Sequence, residues 1–295
     1  MKKVIFKGIA TALITPTNET GVDYTKLKKL IDWQIEEGIN ALVICGTTGE
    51  SSTLTDNEHR KVIEVSIEQA AGRVPVIAGT GSNETSYAVS LTKDACRAGA
   101  SAALVVTPYY NKTTQKGLIR SFTEIADCSE LPIIMYNVPS RTGLNIEPAT
   151  YEALASHENI VGIKEANSDI VKIVETVSRV GDRLALYSGN DDQIVPILSV
   201  GGIGCISVLS NVIPRQTVEI TDRYFAGDVK GSMELQCRYF ALVKALFCEV
   251  NPIPVKAAMA ALGFCENYLR LPLVTMEEIN RERLLNEMRK IGLRV

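Results

Sequence analysis

This sequence predicts a (β/α)₈ barrel, and three features carry the prediction. Eight short runs rich in Val and Ile recur at the spacing of βα units. They are apolar on both faces, as parallel strands wrapped by helices must be. The stretches between them place apolar residues every three or four positions and charge elsewhere. A doubly wound open sheet is the alternative, but it usually announces a nucleotide with a glycine-rich first turn. Here the first run leads into TPTNETG, with no GxGxxG.

Taken in order, the strand runs are GIATALITP (8–16), ALVICGT (41–47), VPVIAGTG (74–81), AALVVTP (102–108), LPIIMYNVP (131–139), IVGIKEA (160–166), LALYSG (184–189) and GCISVLS (204–210). The helical stretches between them begin at Tyr24, Asn57, Glu84, Gln115, Glu147, Asp169 and Asp191. Asp23 suits the N-cap of the first helix. Thr55 with Glu58 three residues on forms a capping box. Gly38, Gly72, Gly99 and Gly181 suit helix stops with positive φ. The last strand–helix unit ends near Gly227, so residues 1–227 are expected to form the catalytic barrel. Residues 228–295 read as a C-terminal region of three helices, 230–250, 254–264 and 275–292, broken at Pro252, Pro254 and Pro272. Asn251 is expected where that appendage meets the barrel.

Composition narrows the function. The 295 residues are 46% hydrophobic and 22% charged, with a formal net charge of −3. That balance disfavours a polyanion partner, and there is no basic stripe or aromatic ladder for nucleic acid. Lys7, Gly8 and Pro16 interrupt the N-terminal apolar stretch, which reads as a strand rather than an export signal. No apolar run approaches about 18 residues, so no membrane span is expected. The seven cysteines form no CxxC pair and mostly sit in apolar runs such as ALVIC and ALFC. They read as reduced structural thiols in a cytoplasmic protein. His59 and His157 build no zinc site with them at any standard spacing, so no metal is expected.

Chemistry in such a barrel belongs at the C-terminal ends of the strands. Lys164 is the most unusual residue there, because it interrupts the apolar run IVGIKEA. A lysine in a barrel interior is costly unless paired or neutral, and burial disfavours an ammonium. A neutral amine condenses with a ketone, and the iminium formed is an electron sink. The plainer reading is a salt bridge to Glu165 at the rim, although adjacent strand residues face opposite ways. Tyr136, ending the fifth run, can approach Lys164 and move a proton; the plainer reading is a ring that packs the barrel. Arg141, among Pro139, Ser140 and Gly143, offers a two-donor fork to a carboxylate; the plainer reading is a surface arginine. GTTGES, with Thr47 and Thr48 between glycines, has the form of a small anion nest and lacks a Walker lysine. Tyr109 and Tyr110 are adjacent, so one of them is expected to face away, for instance into a subunit interface.

Together these segments resemble the dihydrodipicolinate synthase (4-hydroxy-tetrahydrodipicolinate synthase) family, within the pyruvate-dependent class I aldolases that include N-acetylneuraminate lyase. GTTGES, VTPYYNK, YNVPSRTG, GIKEA and GGIGCISV stand in the family's order, and the likeness runs from GIATALITP to NPIPVK. The resemblance implies a Schiff base between Lys164 and pyruvate, with no other cofactor. It implies a proton relay from Tyr136 through Thr48 to Tyr110, the last inserted from the neighbouring subunit of a tight dimer. Thr47 and Thr48 would hold the pyruvate carboxylate, and Arg141 that of L-aspartate-4-semialdehyde. Gly189 and the carbonyl of Ile206 would line the pocket. The step would open diaminopimelate and lysine synthesis, in a homodimer or a tetramer of two dimers. Some relatives bind lysine as an inhibitor at positions matching Ser51, Ser52, Asp56, His59, Asn83, Tyr87 and Tyr109. Asp56 and Tyr87 depart from that pattern, Tyr87 standing in place of an acidic residue. Weak or absent lysine inhibition is therefore expected. Two other readings remain: an aldolase for a sugar-acid aldehyde, which Arg141 argues against, and a non-catalytic carboxylate binder, which the presence of both Lys164 and Tyr136 argues against.

Overall fold

The computed structural model describes residues 2–295. Eight parallel strands close into a barrel: β1 (Gly8–Ala12), β2 (Ala41–Ile44), β3 (Val76–Gly79), β4 (Ala102–Val106), β5 (Ile133–Asn137), β6 (Ile160–Glu165), β7 (Ala185–Ser188) and β8 (Gly204–Ser207). Neighbours in sequence are neighbours in the sheet, and β1 pairs with both β2 and β8. Each strand lies within one of the eight expected runs. Almost every strand residue is buried, because the barrel lumen takes one face and the helices the other. Ala10, Ala12, Ala41, Val43, Ile77, Leu104, Ile134, Tyr136, Tyr187 and Ile206 belong to a lumen cluster separate from the larger strand–helix core.

The surrounding helices are α1 (Tyr24–Glu36), α2 (Asp56–Ala70), α3 (Thr85–Ala98), α4 (Gln115–Asp127), α5 (Pro148–Leu154), α6 (Ile170–Val180), α7 (Ile194–Ser199) and α8 (Pro214–Phe225). Their ends follow the expected local chemistry. The Asp23 carboxylate accepts the Lys26 N–H at 2.9 Å. Thr55 and Glu58 form the reciprocal capping box. Gly38, Gly72, Gly99 and Gly181 all have positive φ. The Asp191 stretch divides into a short 3₁₀ turn, Asp191–Gln193, and α7.

After the barrel come α9 (Val229–Leu246), α10 (Ile253–Ala261) and α11 (Glu278–Lys290). The first of these packs on both α8 and α11, so the appendage is continuous with the outer helical layer.

Three local features depart from the sequence reading. TPTNETG contains a small antiparallel hairpin, Thr17–Asn18 with Gly21–Val22, rather than open loop. Asn18 Oδ1 accepts the Thr20 N–H at 2.9 Å and Gly21 takes φ +134°, which together reverse the chain. PSRT, expected as a turn, is one helical turn (Pro139–Thr142) that ends at Gly143 with φ +64°. Cys248, read as part of an apolar run, is exposed, as is Cys237. The helix stops at Leu246, so Cys248 escapes the buried stripe that takes in Leu242, Val243 and Leu246.

Candidate active site

Sheet register brings the central residues together. Lys164 on β6 pairs with Tyr136 on β5 and with Tyr187 on β7, so the three stand at one height around the lumen. Lys164 is 7% exposed, and its Nζ lies 4.1 Å from the centroid of the Tyr136 ring. The proposed pair with Glu165 does not form. Glu165 points to the other face of the strand, where its carboxylate accepts from Asn137 Nδ2 (2.9 Å), the Tyr151 hydroxyl (3.0 Å) and the Asn167 N–H (2.8 Å). Burial pushes this carboxyl up to about 7, despite the downward pull of those bonds. The alternation of a strand therefore separates the amine from the carboxylate next to it in sequence.

Above Lys164 opens a cavity of about 170 Å³ at the C-terminal mouth of the barrel. Its walls include Thr47, Thr48, Tyr136, Arg141, Lys164 and Gly189, six residues singled out in the sequence. Gly189 is there for lack of a side chain: a Cβ would stand 2.8 Å from Ala166 Cβ and 3.1 Å from the Glu165 carbonyl oxygen. Its N–H donates to that oxygen at 2.6 Å, which ties the ends of β6 and β7. Ile206 is buried in the lumen cluster, but its neighbour Val208 is the residue of this segment on the cavity wall. Arg141 is exposed at the rim, where its Nη2 donates to the Asn251 carbonyl at 3.0 Å.

The residues assigned to the relay are only partly assembled within one chain. Thr48 is buried, and its hydroxyl accepts from Asn251 Nδ2 at 3.0 Å. Among the described residues, no hydrogen bond joins Thr48 to Tyr136. Tyr110 is 92% exposed and takes φ +67°, while Tyr109 is 37% exposed. Two adjacent residues thus divide as expected, with Tyr110 presented outward on a strained backbone.

A second cavity, about 380 Å³, adjoins the first and shares Thr47, Val138 and Arg141 with it. Ser51, Ser52, His59, Tyr87 and Tyr109 line it. Asp56 and Asn83 do not line it. The Asp56 carboxylate is engaged by Arg60 and by the Tyr87 hydroxyl at 2.8 Å, and these bonds hold it below the usual carboxylate range. His59 donates Nε2–H to the Gly79 carbonyl at 2.8 Å, and burial lowers its proton affinity. No carboxylate is among the residues lining this cavity.

The sequence reading missed Phe247, which stands on the wall of the smaller cavity, and the contacts of Asn251 with Thr48 and Arg141. Asn190, next to Gly189 at the end of the seventh run, also stands on that wall. Asn251 left a trace in the sequence, as a polar residue beside the proline-marked break. Among the described residues, no cluster of three or more His, Cys, Asp or Glu side chains could hold a metal ion. Among the described residues, no helix is long and apolar enough to cross a membrane.

Known proteins share this arrangement over nearly the whole length. A model of the dihydrodipicolinate synthetase family matches residues 5–291. The 4-hydroxy-tetrahydrodipicolinate synthase of Thermoanaerobacter sp. (strain X514) is 53% identical over 290 residues, 98% of each chain. Among solved structures, dihydrodipicolinate synthase from Aquifex aeolicus aligns with a TM-score of 0.96 and 46% identity, covering 98% of this chain and 99% of that one. The chloride-inhibited dihydrodipicolinate synthase from Acinetobacter baumannii, complexed with pyruvate, aligns at 0.95 with 43% identity over 98% and 99%. With its barrel, its single lysine at the cavity floor and these likenesses, the chain belongs to the dihydrodipicolinate synthetase family.

Proposed function

We infer that this chain condenses pyruvate with L-aspartate-4-semialdehyde through a Schiff base on Lys164. The observation that carries the reading is the buried Lys164 amine at the floor of a small cavity at the barrel mouth, beside the Tyr136 ring. The likeness to the Thermoanaerobacter enzyme and to the pyruvate-complexed Acinetobacter enzyme supports the choice of substrates.

In this reading Lys164 Nζ adds to the ketone carbon of pyruvate and water leaves, giving an iminium. Loss of a methyl proton gives the enamine, with the lysine nitrogen as electron sink. The enamine carbon attacks the semialdehyde, and the aldehyde oxygen takes a proton. The substrate's own amine then displaces Lys164, which frees the enzyme and closes the ring. Tyr136 moves protons at the Schiff base, with Thr48 and a neighbouring subunit's Tyr110 completing the path. Thr47 and Thr48 hold the pyruvate carboxylate. Arg141 at the rim receives the semialdehyde's carboxylate, which a sugar aldehyde lacks. Gly189 and the Ile206 carbonyl complete the pocket. The working form is a homodimer or a pair of dimers. Free lysine inhibits weakly or not at all, because the neighbouring cavity offers its amines no carboxylate.

Borohydride reduction in the presence of pyruvate tests the central step. The expected result is one reduced pyruvyl adduct per chain, mapped to the peptide carrying Lys164 and absent from Lys164→Ala, which also loses turnover while remaining folded. An active enzyme that stays unlabelled at Lys164 would overturn the reading.

A further inference from the structure

We propose that Lys256 and Glu50 are a positioning pair through which the C-terminal helices set the geometry of the Thr47–Thr48 turn. The proposal rests on the reading of that turn as the carboxylate-holding element.

Lys256 lies in α10, a helix whose other buried residues are apolar, and it is 0% exposed. All three of its ammonium donors are used: to Glu50 Oε1 at 2.6 Å, the Thr15 carbonyl at 2.7 Å and Thr17 Oγ at 2.9 Å. Its partner closes the turn. The Glu50 N–H donates to the Thr47 carbonyl at 3.1 Å, and the Gly49 N–H to Gly46 at 3.1 Å. Where Glu50 sits, Thr47 and Thr48 follow. Thr15, whose carbonyl Lys256 holds, itself donates its hydroxyl to the Gly49 carbonyl at 2.7 Å.

Stability alone does not explain this arrangement. A buried ion pair gains little over well-packed apolar residues, because both charges must be stripped of water. Glu50 Oε2 is buried without a partner. Glu50 also takes φ +56°, ψ +33°, the left-handed region that favours glycine. The chain accepts a strained backbone and an unpartnered oxygen at the one residue that ends the turn. What the pair supplies in return is a fixed direction for that turn, imposed from a helix 206 residues further along.

The test is the double variant Glu50→Gln/Lys256→Met, which removes both charges, keeps the length of the side chain at position 50 and leaves an apolar stem at position 256. The expected enzyme melts cooperatively, with its KM for pyruvate raised about tenfold and its KM for semialdehyde within about twofold of the parent. A folded double variant whose pyruvate KM stays within about twofold overturns the proposal. If the double variant does not fold, Thr17→Val takes its place. It removes one acceptor and leaves the pair, and should raise the pyruvate KM about threefold; no change there also overturns the proposal. Thr47→Val in the parent separates the two readings. If it leaves the pyruvate KM unchanged, the carboxylate role of the turn is wrong. If it raises the KM while the double variant does not, only the pair's role is wrong.

Discussion

Arg141 and Lys164 stand on the wall of one small cavity, the guanidinium at its rim and the amine at its floor. A substrate that bonds to the amine and reaches the rim meets both. Arg141 is already oriented by its bond to the Asn251 carbonyl, so less of its freedom remains to be lost on binding. A hydrogen bond to a charged group contributes about 1.5–3 kcal/mol. Arg141→Ala should therefore raise the KM for semialdehyde by about tenfold to a hundredfold and that for pyruvate far less. Initial rates with each substrate varied in turn measure the split, and equal effects on both would contradict the assignment. At this scale the sequence was informative where a residue clashed with its surroundings. Lys164 stood out because an apolar strand has no use for an ammonium. Asn251 acts on Thr48 across 203 residues of chain, and nothing local to NPIPVK encodes that contact.

Elements carry a second kind of information, because a strand sorts neighbours onto opposite faces. Tyr136 and Lys164 face the lumen, while Asn137 and Glu165, one residue further along each strand, are bonded to each other on the outer side. The eight strands were legible for the same reason, since a two-faced apolar run needs no distant information to be recognised. The 17–22 hairpin was not, because it depends on one Asn side chain and one glycine. Glu165 gives the β5–β6 pair a pH signature. Its carboxyl titrates at about 7 in the folded chain, raised by burial, and near 4.3 when unfolded. Between these values the folded state binds the extra proton. The stabilisation is thus fully present below about pH 4.3 and is lost as pH rises through about 7. Denaturant melts of the parent and of Glu165→Gln isolate this contribution. The parent should lose about 2 kcal/mol relative to the variant between pH 5 and 8. Parallel pH curves for the two proteins would show that Glu165 ionises normally in the fold.

At the scale of the whole molecule, one chain brings together an amine, the Thr47–Thr48 turn and a guanidinium, but leaves Tyr110 92% exposed. A tyrosine ring that large has about 1.5–3 kcal/mol to gain from burial, and its left-handed backbone keeps it turned outward. A second copy of the chain satisfies both facts if it receives the ring near its own cavity. A symmetric dimer would then exchange two tyrosines reciprocally, each site combining Lys164 of one subunit with Tyr110 of the other. This arrangement can be separated from one in which Tyr110 serves its own chain. Lys164→Ala and Tyr110→Ala homodimers should each be nearly inactive. Co-expressed in equal amounts, about half of the dimers are mixed, and each mixed dimer carries one site with both native residues and one with neither. Activity should recover to about a quarter of the parent's. If each tyrosine serves its own subunit, every site in the mixture lacks one residue, and co-expression restores nothing.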